Sequence, residues 1–475
     1  MRSDGPPSPS PFRLADLVAD RPVHLSGVAG CAMSGVALML RQRGFTVVGT
    51  DPRDDPAKAR LERAGVLVHR EQDGSRIAAG TQIVVATAAM RADHKELEAA
   101  RSAGIRVIKY ADMLGALMAD ADGVAVAGTH GKTTTTSMIV TVLKAAGVGP
   151  GYVIGGFVPE LGASSDAGTS RVFVAEACEF DRSFLKLSPR RAVITNVEAD
   201  HLDCYLDLAE IEAAFAKFAR GLPADGLLVY SADHPNLGAI TAGARSRKMS
   251  YSVEGPADYE ARDVSLGPQG SRFVVHCPGR VPIETRLTVP GLHNVANALA
   301  AFAVCEDLGV PAASCASALA AFRGASRRFE LKGEARGVTV VDDYAHHPTE
   351  IRALLSAARA RFPGQRLVVA FQPHQISRTR LLLEEFGCAF DLADEVALPD
   401  IYAARDAADE TSFGSQSLAE RIVRRGVPAT HVPKLPALAE HLLARLSAGD
   451  VLLTVGAGDI HTVADAVLAG LRARS

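Results

Sequence analysis

The chain has 475 residues, 48% of them apolar and 22% charged, with a formal net charge of −3. That length exceeds what one hydrophobic core organises and predicts roughly two to four domains. A near-neutral charge excludes a global field that would draw in nucleic acid or an anionic membrane, so neither partner is expected and any anionic substrate must be held by a local site.

Seven cysteines (Cys31, Cys178, Cys204, Cys277, Cys305, Cys315 and Cys388) are scattered, odd in number and free of any C-x-x-C pair. They read as reduced thiols in a cytoplasm, with neither a disulfide framework nor a zinc site. The opening MRSDGPPSPSPF lacks the apolar run of a signal peptide and reads as a flexible tail over 1–20. No window has about 18 apolar residues without charge, so no membrane span is expected.

From Pro22 short apolar runs alternate with helical stretches. VHLSGV, SGVALMLRQRG, FTVVGTD, KARLERAG, VLVH, TQIVVATAA, HKELEAARSAG and IRVIKY form a strand–helix series, which predicts a parallel sheet covered by helices over 21–120. A second unit, 121–325, opens with the strand GVAVAG and the helix THGKTTTTSMIVTVLKAAG, whose Met138, Ile139, Val142 and Leu143 recur at helical spacing. Strands follow at RVFVAEA, RAVITNV and DGLLVYSA. Beyond Ala257 the alternating, Pro- and Gly-broken SRFVVHCPGRVPIETRLTV predicts antiparallel hairpins, then a helix at HNVANALAAFAVCEDLG. The basic, turn-rich GASRRFELKGEARG reads as a hinge into a third α/β series over 326–475. That series contains VTVVDDY, PTEIRALLSAARARF, RLVVAF, TRLLLEEFGCAF, DEVALPD and VLLTVGAG.

The chemistry is concentrated where strands end. In VAVAGTHGKTTTTS a strand runs through Gly128, Thr129, His130, Gly131, Lys132, Thr133 and Thr134 into a helix. Glycines let backbone N–H groups face a polyphosphate, Lys132 can reach its outer oxygens, and the Thr133 hydroxyl can meet Mg²⁺. The usual P-loop glycine five residues before the G-K pair is Val126 here, so the loop is a shortened variant. VFVAEACEFDRSFL places Glu176 at a strand end, where parallel sheets hold ligands and a carboxylate can hold a second Mg²⁺. AVITNVEADHLDCY adds Asn196, Asp200 and His201. PGLHNVANALAA offers Asn294, either a helix cap or an adenine contact, and Asn297. SRRFE carries two hinge arginines, solvated or able to meet a γ-phosphate. VVDDYAHHPTEIRALL holds Asp342, Asp343, His346 and His347, and FQPHQISRTRLLLEEF holds His374, Arg378 and Arg380, arginine suiting a carboxylate.

HLSGVAGCAMSG, His24 to Gly35, has Gly27, Ala29 and Ala32 where a dinucleotide fold wants three glycines. Alanine at a left-handed position would cost roughly 1 kcal/mol or more.

These motifs stand in the order typical of Mur ligases, which the chain resembles over nearly its whole length beyond the tail. The resemblance implies three α/β domains: an N-terminal Rossmann-like one for a UDP-substrate, a central P-loop-type ATP-binding one with a small antiparallel β part, and a C-terminal Rossmann-like one for an amino acid. It implies ATP-dependent joining of L-alanine to the lactyl carboxylate of UDP-N-acetylmuramate through an acyl phosphate, by a cytoplasmic monomer or weak homodimer. Carried onto this sequence, Gly27, Gly30, Ser34 and Asp51 would serve the UDP-substrate, and Gly128–Thr134 the ATP phosphates. Thr133, Glu176 and His201 would serve magnesium. Asn297, Arg328 and Asp343 would touch the nucleotide, Lys132, Glu176, His201 and Arg328 being catalytic. His346, His347, Arg378 and Arg380 would form the alanine side. The competing readings are a sibling ligase that attaches a recycled tripeptide, a non-catalytic nucleotide-binding relative, and a nicotinamide dehydrogenase. The broken glycine fingerprint and the downstream ATP motif weigh against the last.

Overall fold

In the computed structural model, which describes residues 12–55, 57–87, 90–201, 204–404 and 413–473, the first series forms a five-stranded parallel sheet. Its order is Leu67–His69, Val47–Thr50, Val23–Ser26, Ile83–Ala86 and Arg106–Lys109. The three inner strands are buried along their whole length, as expected of Val- and Ile-rich strands covered on both faces. Phe12 and Leu14, within the span read as a tail, are buried in the same core; residues 1–11 lie outside the described residues.

The chain divides into two compact units. One runs to Phe157 and takes in Leu161–Tyr251 and Ala300–Pro311; the other holds Val158–Glu160, Ser252–Leu299 and the chain from Ala312 onward. Besides the five-stranded sheet, the first unit contains, up to the boundary residues Ser252 and Val158, a parallel array ordered Arg247–Ser252, Leu227–Ser231, Arg191–Ile194, Asp122–Ala127, Val172–Glu176 and Gly151–Val158. Asp122–Ala127 lies between Arg191–Ile194 and Val172–Glu176, so three carboxyl ends open side by side. The two sheets of this unit meet closely: a Cβ on Gly35 would lie 2.5 Å from Ser165 Cβ, and an Arg60 guanidinium N–H donates to the Ser165 carbonyl.

The second unit carries the expected antiparallel hairpins, Tyr259–Gly267, Gly270–His276 and Ile283–Leu287. Its other sheet is ordered Glu330–Ala335, Val338–Asp343, Val451–Val455, Leu367–Phe371, Glu395–Leu398 and Ala429–His431. All neighbours are parallel except the first pair. The helix expected in TRLLLEEFGCAF starts earlier and breaks at Leu382, giving Ile376–Leu381 and Leu383–Ala389. Among the described residues no helix is long and apolar enough to cross a membrane.

Behind the acidic segment after Val172–Glu176, Phe184 is fully buried, with ring centroids 4.9 Å from Phe215 and 5.0 Å from Phe218. Phe184→Ala should cost about 3–5 kcal/mol. A urea titration should show this as a lowered midpoint at unchanged slope.

Candidate functional site

The strand Asp122–Ala127 ends in Gly128, whose φ is +136°. A Cβ there would lie 1.9 Å from Thr195 Oγ1, so the loop can hug the neighbouring strand end only as glycine. The clamp continues residue by residue. Thr129 N donates to the Asn196 carbonyl (3.0 Å), His130 N to Asn196 Oδ1 (2.8 Å), and Glu198 N to Thr129 Oγ1 (2.9 Å). Gly131, at φ +81°, turns the chain into the helix Lys132–Ala145, anchored by buried Met138, Ile139, Val142 and Leu143.

Lys132 is the charge centre of this loop. Its ammonium donates to the Thr129 carbonyl at 2.9 Å and to the Gly128 carbonyl, and lies 2.9 Å from Glu179 Oε2. Burial alone would depress its pKa, but the carboxylates of Glu179 and Glu176 hold it above the ordinary lysine value. Thr133 Oγ1 donates to Glu176 Oε2 at 2.9 Å, and the same oxygen accepts Gly155 N at 2.8 Å. His201, at φ +53°, sets Nε2 3.7 Å from Glu179 Oε1. The three strand ends therefore converge on one spot. Glu179, only 2% exposed, is the residue the motif reading left out, although it sits in EACEFD three positions after Glu176.

A second cleft of about 650 Å³ opens at the carboxyl ends of the five-stranded sheet. Gly27, Gly30, Asp51, Arg53, Gln72 and Thr87 are among its walls. Gly27 is left-handed at φ +79°. Ala29 and Ala32 are not among the residues with positive φ, so the penalty considered from the sequence does not arise. Ala29 N instead donates to Asp51 Oδ2 at 3.2 Å. Burial would raise the Asp51 carboxyl, but hydrogen bonds from Arg53 and Ala29 hold it below its ordinary value. Ser34 lies a turn into the helix Cys31–Gln42 and is buried, outside the lining of the cleft.

The second unit gathers the remaining candidates. In the helix Leu292–Asp307, Asn294 donates through Nδ2 to the Pro290 carbonyl rather than capping the helix as an acceptor, and Asn297 donates to Asn294 Oδ1 at 3.3 Å. The two hinge arginines part company. Arg327 is tied to Asp342 (3.0 Å) and the Gly456 carbonyl (2.6 Å), while Arg328 lies 3.7 Å from Glu350. Both guanidinium groups lie 5.1 Å from the Tyr344 ring centroid. His346 Nδ1 lies 3.3 Å from Glu350 Oε2, whereas His347 caps the helix Pro348–Arg361 by accepting from Thr349 N. Arg378 is buried with one N–H 3.3 Å from His374 Nδ1; Arg380 is exposed, over the Phe413 ring.

Three family models match the chain in series. These are the Mur ligase family catalytic domain at 22–122, the Mur ligase middle domain at 126–305, and the Mur ligase, glutamate ligase domain at 327–458. The UDP-N-acetylmuramate–L-alanine ligase of Kineococcus radiotolerans is 47% identical over 94% of this chain and 95% of its own. The solved UDP-N-acetylmuramate–alanine ligase of Thermotoga maritima superposes with a TM-score of 0.79 at 30% identity, over 96% of this chain and 100% of that one. A murein peptide ligase from Psychrobacter arcticus gives 0.71 at 26% identity, covering 96% and 99%.

Asp343 supplies a pH-dependent test. Burial pushes its carboxyl up to about 6, against the opposing pull of Arg328 and of the Phe329 and Ala345 N–H groups. A carboxyl raised on folding binds its proton more tightly in the native state, so its contribution is full below 3.8 and falls as pH rises through about 6. The stability advantage of the parent over Asp343→Asn should therefore shrink by up to about 3 kcal/mol between pH 4 and pH 7.5 in urea titrations.

Proposed function

The chain belongs to the Mur ligase family, and from that premise we propose that it joins L-alanine to the lactyl carboxylate of UDP-N-acetylmuramate, consuming ATP, in cytoplasmic peptidoglycan synthesis. The observation that carries this reading is the convergence of Lys132, Glu176, Glu179 and His201 on a glycine loop that leaves no room for a Cβ at Gly128.

A carboxylate is a poor electrophile, so the γ-phosphate of ATP is first transferred to it, giving an acyl phosphate. Gly128 to Thr134 cradle the polyphosphate and Lys132 meets the charge developing on the transferring group. Magnesium would be held by Thr133, Glu176 and His201. The fit rests on two oxygen donors 2.9 Å apart, the kind a hard cation takes, and on a buried His201 Nδ1 with no hydrogen-bond partner among the described residues. Bound there, the ion neutralises phosphate charge. Asn297, Arg328 and Asp343 would contact the nucleotide. The amine of alanine then attacks the acyl carbon and phosphate leaves through a tetrahedral intermediate. His346, His347, Arg378 and Arg380 would position the alanine, the buried Arg378 being the natural carboxylate partner. Segments 21–120, 121–325 and 326–475 would serve the UDP-substrate, ATP and the amino acid respectively.

Lys132→Ala should lower ATP-dependent phosphate release at least a thousandfold, roughly, while the Kd for UDP-N-acetylmuramate stays within about twofold. Equal loss of both would mean the two clefts are misassigned. Phosphate release measured with L-alanine, glycine, L-serine and a murein tripeptide should respond first to alanine. Turnover with tripeptide alone would give the protein to the recycling branch instead.

A further inference from the structure

The cleft at the first sheet is backed by a fully buried polar relay that no phosphate-binding role requires. His24 and Glu96 are both 0% exposed, with His24 Nε2 2.9 Å from Glu96 Oε1. Thr50 Oγ1 lies 2.8 and 3.0 Å from the two Glu96 oxygens. Gln72 Nε2 in turn lies 3.2 Å from the Thr50 carbonyl and 3.3 Å from Thr50 Oγ1, and Gln72 lines the cleft. Burying a carboxylate under a sheet costs several kcal/mol unless it is fully bonded, so the arrangement needs a reason beyond filling space.

The directions of these bonds leave one solution. Burial alone would raise the Glu96 carboxyl, but His24 and the hydroxyls of Ser26 and Thr50 hold it below the ordinary value, so it is an acceptor only. The Thr50 hydroxyl must spend its single proton on Glu96. What remains on Thr50 is a lone pair beside its carbonyl, which already accepts Gly27 N at 2.8 Å. The carbonyl also accepts Val28 N at 3.1 Å, so its needs are met by backbone. But it and the Thr50 lone pair are both acceptors, which an amide oxygen would meet lone pair to lone pair, so the Gln72 amide presents its NH₂ inward. An amide's two ends are otherwise interchangeable; here the buried carboxylate chooses. Gln72 Oε1 is left as an acceptor for whatever occupies the cleft.

We propose that Gln72 is a specificity-determining residue for the nucleobase, its Oε1 accepting the N3–H of uracil, with Thr50, Glu96 and His24 as positioning residues that lock the amide in that orientation. Cytosine has a lone pair at N3 and would meet this oxygen lone pair to lone pair, so the relay selects UDP over CDP. The inference rests on the reading of this cleft as the UDP site.

The test is calorimetric titration of the full-length protein with UDP, CDP and 2′-deoxy-UDP. The parent should bind UDP about tenfold or more tighter than CDP, the worth of one well-made hydrogen bond replaced by a repulsive pair. Gln72→Leu should reduce that ratio to within about twofold. Thr50→Val, which keeps Gln72 but removes the hydroxyl, one of the two acceptors that orient its amide, should lower the ratio at least about twofold, and Thr50→Ser should restore it. Circular dichroism and an unchanged ATP affinity confirm that each variant is folded. A parent that binds UDP but does not prefer it to CDP overturns the inference, as does a Gln72→Leu variant that keeps the preference. A Gln72→Leu loss that vanishes with 2′-deoxy-UDP also overturns it, because the partner is then a ribose hydroxyl. A parent that binds neither nucleotide, while still binding ATP, overturns the UDP reading of the cleft itself.

Discussion

The backbone at Gly128 passes so near the Thr195 hydroxyl that a single added carbon would sit 1.9 Å from it, and the architecture of the central site follows from that contact. Because the loop can close on the neighbouring strand end, Asn196 and Glu198 are drawn onto Thr129 and His130, and Lys132 begins its helix at a fixed point. The shortened P-loop is thus a loop braced from the side. The bracing hydroxyl and amide come from a strand nearly seventy residues further along the chain, roughly the separation that makes such a contact invisible locally.

Charge explains what surrounds it. A buried ammonium is stable only when paired, and Glu179 supplies the pair at 2.9 Å. The segment that delivers Glu179 is strained: Asp181 and Arg182 are consecutive left-handed residues at φ +53°, each costing roughly 1–2 kcal/mol. Ion pairs of Lys109 with Asp181 and of Arg182 with Glu210, together with the Arg182 guanidinium 4.8 Å from the Tyr205 ring centroid, hold them there. Strain kept in place by several contacts beside a charged pocket is the pattern expected where geometry serves chemistry.

The glycine-poor turn of the first sheet has a simpler resolution. Of its three fingerprint positions only Gly27 is left-handed, against Thr87, so only there is glycine obligatory. At Ala29 the useful group is the backbone N–H, which reaches Asp51 whatever the side chain. Neither alanine occupies a left-handed position, so neither methyl group strains the turn.

Local pattern carried much of this molecule. Continuous Val- and Ile-rich runs ended by glycine marked the inner parallel strands, and Gly128–Thr134, Glu176 and His201 were legible because strand ends are where such sheets place polar residues. Strands such as GYVIGGFV escaped notice because glycine blurs the alternation that marks a strand. The hinge arginines, adjacent in sequence, were inseparable until folding gave Arg327 to Asp342 and left Arg328 beside Tyr344 and Glu350. Glu179, Thr195 and Gln72 acquire their roles only from partners tens of residues distant. A sequence records which groups can bond, by residue type and spacing along one element. Which donor meets which acceptor across elements depends on burial and direction, and those exist only once the sheets have packed.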